Sequence, residues 1–286
     1  MATPSRNRDG AATRPSVVLL GSKPGAVAAL SVLDRRGWEV AAVVAGPEPD
    51  WAGSTTLEQA AREQGPRVVR DQAELGAESV DFVISYMCRQ LVRPATLALA
   101  RRGAFNFHAG PLPEYGGWAF YNVAILEEAQ EYGCTCHWMD EGFDTGPLHE
   151  VRRFPIDPGA ETAVSLERRA QQAMIGLFVD FCLRAESGEE LDRVPQDPAR
   201  MRYMTREEFQ RLKAVPEGAD AQTIDRHARA FWYPPYQCAT IDVGGTAVEI
   251  VPEAAKSELA TALHRDDLED LLLAADAQLA HEASSA

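Results

Sequence analysis

Asn106 and His108 alternate along a short apolar stretch, residues 104–109 (Ala-Phe-Asn-Phe-His-Ala), with Phe105 and Phe107 beside them. Successive side chains of a β-strand point to opposite faces, so this spacing sets an amide and an imidazole on one face and two phenyl rings on the other. An amide can donate to an oxygen that gains negative charge, and a neutral imidazole can take a proton from an attacking amine. Together they suit acyl transfer, although a solvated strand face would show the same spacing. Asp144 is the candidate third partner. It opens the tripeptide Asp144-Thr145-Gly146, and a carboxylate on such a turn could hold the imidazole and stabilise its charged form. Taken alone, the tripeptide also reads as an ordinary turn start.

Other constellations carry less. An aspartic protease also uses Asp-Thr-Gly, but it needs two carboxylates sharing a proton, and this chain has one such tripeptide. Cys134, Cys136, His137 and His149 could be offered as metal ligands. The alternation of Cys134 and Cys136 along an apolar strand favours core positions, and the paired spacing of a structural zinc site is missing. No metal is expected. Gly21-Ser22-Lys23-Pro24-Gly25 follows the first strand without the close second glycine of a dinucleotide-binding turn, so NAD is not supported. Residues 231–236, Phe-Trp-Tyr-Pro-Pro-Tyr, form either a hydrophobic seam or a wall on which a sugar or base stacks.

The elements that must position these groups follow from apolar periodicity. Residues 17–20 form a buried strand closed by Gly21, and residues 22–37 a helix. Residues 39–45 are a strand, 55–64 a helix, 67–69 a short strand, 81–86 a strand, and 94–102 a helix. Strand and helix alternating in units of about thirty residues predict a parallel sheet with right-handed crossovers, covered by helices. Residues 104–109 make the next strand, which puts Asn106 and His108 at the carboxyl end of a parallel sheet, where such sheets bind ligands. Residues 121–130 read as a helix, 133–139 as a strand, and 162–185 as a long amphipathic helix. Gly, Pro, Asp and Arg cluster at 186–200, which marks a boundary between a first domain of residues 16–190 and a small one of 200–286. The second holds helices at 205–212, 221–230 and 259–279, and strands 239–243 and 246–251 around the hairpin turn Gly244-Gly245.

The chain of 286 residues carries a formal net charge of −15, which counts against a nucleic-acid partner. No apolar run approaches the ~20 residues that span a bilayer. Residues 1–15 are polar and Arg-dotted, a flexible tail without a secretory signal. Five cysteines in apolar surroundings fit reduced thiols in a cytoplasm.

Residues 106–117, Asn-Phe-His-Ala-Gly-Pro-Leu-Pro-Glu-Tyr-Gly-Gly, followed by 139–146, resemble the formyltransferases that use N10-formyltetrahydrofolate. That family shows an Asn-x-His strand, a Leu-Pro loop and a later Asp-Thr-Gly in this order, and the resemblance covers residues 17–185. It implies an α/β fold: a Rossmann-like, mostly parallel sheet with helices on both faces, here with a small C-terminal domain and its β-hairpin. Asn106, His108 and Asp144 match the family's catalytic trio, with Asp144 orienting His108. The loop holding Met87, Leu91 and Val92, and the stretch Asp140, Glu141 and Gly142, match the segments that hold the pterin through backbone groups. The tail from Arg202 through residues 231–236 is similar to the sugar N-formyltransferases, commonly dimers, which act on nucleotide-linked amino sugars. Trp118, Tyr121, Trp232, Tyr233 and Tyr236 are the substrate candidates, and Arg202, Arg206, Arg211, Lys213, Arg226 and Arg229 are candidate phosphate partners. Methionyl-tRNA or another small amine as acceptor, a hydrolytic deformylase, and a folate-binding protein without turnover are the alternatives.

Overall fold

The computed structural model describes residues 14–46, 55–118, 120–256 and 259. The tail of residues 1–13 and nearly all of the helix expected at 259–279 lie outside the described residues. β1 (Ser16–Gly21), β2 (Glu39–Ala45), β3 (Arg67–Val69), β4 (Val80–Tyr86) and β5 (Ala100–His108) are parallel and lie in the order β3-β2-β1-β4-β5. After the two-residue β6 (Gly116–Gly117), which lies elsewhere, β7 (Glu131–Trp138) and β8 (Leu148–Pro155) extend the sheet past β5 as antiparallel neighbours. The sheet is therefore mixed and mostly parallel. Central β1 is buried on both faces, as its unbroken Val-Val-Leu-Leu requires.

α1 (Lys23–Arg35), α2 (Leu57–Gln64) and the 25-residue α5 (Ala163–Ser187) pack on one face. α3 (Pro94–Leu97) contributes Leu97 to the smaller cluster on the other. α5 starts at a capping box between Thr162 and Ser165 and stops at Gly188, in the left-handed region. Leu166, Ala170, Met174, Leu177, Phe178 and Phe181 repeat at helical spacing along its buried side. Their partners are Phe105 and Phe107 of β5: ring centroids lie 4.8 Å apart for Phe105–Phe181 and 4.9 Å for Phe107–Phe178. That packing turns the alternate residues Asn106 and His108 to the opposite face.

Two expected boundaries shift, and one strand appears that the sequence pattern did not show. The helix expected at 94–102 ends at Leu97, and β5 already starts at Ala100. Arg101 and Arg102 sit as strand residues there, bonded to Asp81 and to the Ala185 carbonyl. The helix expected at 121–130 is α4 (Phe120–Leu126), and Glu128 in the left-handed region stops it. β8 escapes the apolar pattern because Glu150, Arg152 and Arg153 are edge-strand charges, Arg152 paired with Glu150 and Asp180 and Arg153 with Glu131 and Glu114.

Beyond α5 the chain forms β9 (Tyr203–Met204), α6 (Arg206–Leu212), α7 (Ala221–Ala230) and the hairpin β10 (Ala239–Val243) and β11 (Thr246–Ile250). Gly244 and Gly245 turn the hairpin with positive φ. This segment does not keep a core to itself. Val215, Ala230, Phe231 and Ala239 join the main cluster under the sheet, and Asn122 donates to the Ala230 carbonyl at 2.6 Å.

Candidate active site

His108 ends β5 and is buried. Its Nε2 lies 2.7 Å from the Tyr115 carbonyl oxygen. A carbonyl only accepts, so Nε2 carries a hydrogen and Nδ1 of the neutral ring keeps its lone pair. Nδ1 faces Asp144 Oδ1 at 3.7 Å, beyond hydrogen-bond distance. The backbone of the Leu-Pro loop therefore orients the ring, where a carboxylate was expected to do so. A proton taken up at Nδ1 would sit beside a carboxylate, which stabilises the imidazolium.

Asn106 Nδ2 lies 3.0 Å from His137 Nε2 and 3.4 Å from Asp144 Oδ1. His137 Nδ1 is 2.8 Å from the Trp138 carbonyl, so Nδ1 donates there and Nε2 accepts from the amide. His137 is thus a fourth member of the cluster, at 3.6 Å from Asp144 Oδ1. Strand register brings it there: Asn106 pairs with His137, and His108 with Thr135, across β5 and β7. At the level of sequence His137 stands only as a metal-ligand candidate beside the cysteines. The alternation that buries Cys134 and Cys136 already turns Thr135 and His137 to the other face, and that was the available signal.

Asp144 has φ of 56°, a left-handed conformation uncommon for a residue with a side chain. Its Oδ2 accepts from the Gly117 N–H at 3.0 Å. Burial pushes the carboxyl up, but the His108 and His137 rings and the Gly117 N–H outweigh it and hold Asp144 well below the usual carboxylate range. It is ionised at neutral pH. Two glycines permit this approach. Gly117 has φ of 81°, and a Cβ there would lie 2.7 Å from the Met204 carbonyl; a Cβ on Gly146 would lie 1.9 Å from the Trp138 carbonyl. Thr135 ties the Leu-Pro loop down, donating to the Gly110 carbonyl at 2.7 Å and accepting from Leu112 N at 3.0 Å.

The segments expected to hold a pterin leave strands on either side of β5. Met87 follows β4 with φ of 51°, donates its N–H to Phe107 at 3.3 Å, and its carbonyl accepts from Ser22. Leu91 is exposed and Val92 buried. Gln72 grips that loop through the Leu91 carbonyl and the Arg93 N–H. On the β7 side Asp140 accepts from Gly142 N and Thr145 Oγ1, while Glu141 is exposed.

The substrate candidates divide. Trp118 is 46% exposed and follows Gly117, beside Asp144. Tyr121 and Trp232 are buried: Tyr121 packs on Phe120 and Tyr132, and Trp232 packs with Cys238 and Ala255. Both are interior residues: Tyr121 lies on the buried side of α4, and Trp232 follows the end of α7, where the chain turns back into the interior. Tyr233 donates to Glu167 on α5, and Tyr236 accepts from Arg89 at 3.4 Å, so this pair joins the C-terminal segment to the sheet domain. Of the phosphate candidates, Arg202, Arg211, Arg226 and Arg229 are paired with Glu127, Glu207, Glu128 and Asp225. Lys213 is buried beside Phe209. Arg206 instead lies over the Trp118 ring at 5.8 Å. Among the described residues no group of three His, Cys, Asp or Glu is arranged to hold a metal ion.

The mostly parallel sheet brings an amide and an imidazole at the carboxyl end of β5 together with an ionised carboxylate from the loop after β7, the kinds of group that acyl transfer uses. Residues 17–181 match the formyl transferase family, and the chain belongs to that family. Methionyl-tRNA formyltransferase of Nitrosospira multiformis is 27% identical over 270 residues, covering 88% of this chain and 86% of the relative. The enzyme of that name from a Synechococcus strain is 33% identical over 162 residues, covering 56% of this chain and only 48% of the relative. The latter match spans about half of that relative's length. Among solved structures, an N-formyltransferase of Helicobacter canadensis in complex with folinic acid and dTDP-3-aminofucose superposes with a TM-score of 0.68, at 21% identity, covering 81% of this chain and 85% of that one. The sugar 3N-formyl transferase WlaRD gives 0.70, at 21% identity and 82% and 85% coverage. HypX of Aquifex aeolicus, in complex with tetrahydrofolic acid, gives 0.59 at 19% identity, covering 84% of this chain and 38% of its own. At these identities the likeness is one of fold.

Proposed function

We propose that this chain transfers the formyl group of N10-formyltetrahydrofolate to the amine of a small acceptor, a nucleotide-linked amino sugar. The observation that carries the chemistry is the convergence of Asn106, His108 and ionised Asp144 on one spot. The amine attacks the formyl carbon. Its proton passes to His108 Nδ1, beside Asp144, and then to N10 as the bond between the formyl carbon and N10 breaks and tetrahydrofolate leaves. Asn106 donates to the developing oxyanion, exchanging one of its two present partners to do so. Loops 87–92 and 140–142, on either side of β5, are the segments that would hold the pterin of the donor through their backbone groups.

The surface around Asp144 supports the acceptor class. Phe143, Trp118 and Tyr203 are 46%, 46% and 49% exposed. The Tyr203 ring lies against Gly117, and its hydroxyl is pushed up by burial and by the charge of Asp144. Exposed aromatic rings grouped at a site serve stacking, and Arg206 over Trp118 adds one cation for a phosphate. Methionyl-tRNA is the second reading, because the sequence relatives carry that name. A tRNA needs many phosphate contacts, whereas most of the local arginines here are already neutralised by carboxylates.

The test is a mass-spectrometric assay with N10-formyltetrahydrofolate and, in turn, dTDP-3-aminofucose, other amino-sugar nucleotides, methionyl-tRNA and no amine. Transfer to an amino-sugar nucleotide is expected, with His108→Ala and Asn106→Ala slower by on the order of a hundredfold or more. Efficient formylation of methionyl-tRNA with none of any amino-sugar nucleotide would sink the acceptor assignment. Tetrahydrofolate release without amine would make the protein a hydrolase.

A further inference from the structure

The stretch between α5 and β9 lies across the site loops. Val194 and Leu148 exchange backbone hydrogen bonds of 2.7 and 2.9 Å, Arg202 donates to the Pro113 carbonyl and accepts from Gly116, and Met204 accepts from Trp118. Midway along it stands Gln196. Its side-chain nitrogen donates to the Asp144 carbonyl at 2.7 Å and to the Gly146 carbonyl at 2.8 Å. Both acceptors are carbonyls, so the nitrogen end of the amide must face them, and both of its hydrogens are used. The two carbonyls flank Thr145 in the turn that holds Asp144 in the left-handed region.

We infer that Gln196 is a positioning residue for Asp144: it clamps the backbone on both sides of Thr145 and so sets where the carboxylate stands relative to His108 and Asn106. The margin is small. Asp144 Oδ1 is 3.7 Å from His108 Nδ1 and 3.4 Å from Asn106 Nδ2, and a shift of about an ångström at a reacting centre can cost on the order of a hundredfold in rate. A left-handed Asp without its clamp relaxes toward the ordinary right-handed or extended regions, which swings the carboxylate away from both partners. The inference rests on the catalytic reading of Asp144, and its test separates the two.

Gln196→Met keeps the length and removes both N–H groups. It is compared with the wild type, Asp144→Asn and the double variant. The Asp144 carboxyl, followed by 13C NMR and assigned by its loss in Asp144→Asn, is expected to titrate higher in Gln196→Met by about one unit or more, because contact with His108 and the Gly117 N–H loosens. With N10-formyltetrahydrofolate and dTDP-3-aminofucose as the probe pair, kcat should fall about tenfold while both KM values stay within about twofold. Added to Asp144→Asn, the same change should cost little more, since two residues acting through one contact are not additive. An Asp144 titration that does not move in folded Gln196→Met overturns the proposal whether or not this pair turns over, and so do losses that multiply. Gln196→Asn, which keeps the amide but falls one methylene short, should move the titration in the same direction and serves if the Met variant does not fold. If Asp144→Asn alone leaves turnover intact, the catalytic reading of Asp144 fails, and the titration still decides the role of Gln196.

Discussion

Asp144 concentrates what is unusual at the scale of single residues: a largely buried carboxylate, left-handed backbone, the Gly117 N–H and Asn106 amide donating to it, and two imidazole rings beside it. Its folded carboxyl titrates lower than in the unfolded chain, so its charge stabilises the fold. That contribution is complete above the ordinary carboxylate value and is lost as pH falls through the lower, folded value. The melting temperature of the wild type should therefore exceed that of Asp144→Asn by a constant margin from pH 8 down to about 5, and the margin should shrink as acidification passes about pH 4. A margin that widens on acidification would reverse the sign of the argument. His137 supplies the acceptor that holds the Asn106 amide. His137→Ala removes the partner of one Asn106 N–H in a partly buried site, at a cost of about 1 kcal/mol. Denaturant unfolding should show it, and turnover should fall about tenfold with the folate KM little changed.

Among the elements, β7 is the organiser. Its core-facing residues Tyr132, Cys134 and Cys136 are buried, and the face toward the site carries Thr135 and His137. Thr135 is the link between this strand and the Leu-Pro loop. Thr135→Val keeps the shape but leaves the Leu112 N–H and the Gly110 carbonyl without their partner. The expected loss is about 1–3 kcal/mol for each group that stays buried and unsatisfied, measurable as a lower urea midpoint with an unchanged m-value. Hydrogen exchange at Leu112 should quicken more than at β1, because the opening is local. Equal acceleration everywhere would mean that the loop has no separate opening.

Among the described residues, the C-terminal segment shares the main core cluster with the sheet. The stretch at 186–200, where the division is expected, bonds back to the sheet through Val194 and Leu148. The strap through Val194, Gln196 and Arg202 lies on the site loops, and Phe231 is buried in the cluster under α5, stacked on Phe209 at 5.6 Å. Phe231→Ala should cost about 3–5 kcal/mol. Far-UV circular dichroism and tryptophan fluorescence should still report one coincident transition. Separate transitions would instead mean that the C-terminal segment folds on its own.

Much of this protein was legible in short windows of sequence. The alternation of Phe105, Asn106, Phe107 and His108 predicted which face carries the amide and the imidazole, and the order of strands and helices predicted the mostly parallel sheet. Both are period-two and period-3.6 properties of a few adjacent residues. Asp-Thr-Gly marked Asp144, whose neighbours it could not name. The partners came from elsewhere in the chain: His137 by strand register, the Gly117 N–H by a loop, and Gln196 by a strap that composition alone marked as a boundary. The same holds for the arginines. Sequence counts them all alike, and only folding pairs Arg202, Arg211, Arg226 and Arg229 with carboxylates while laying Arg206 over Trp118. Charge pairing and hydrogen bonding fall off within a few ångströms, so distances along the chain do not predict them, and tertiary packing decided which groups meet.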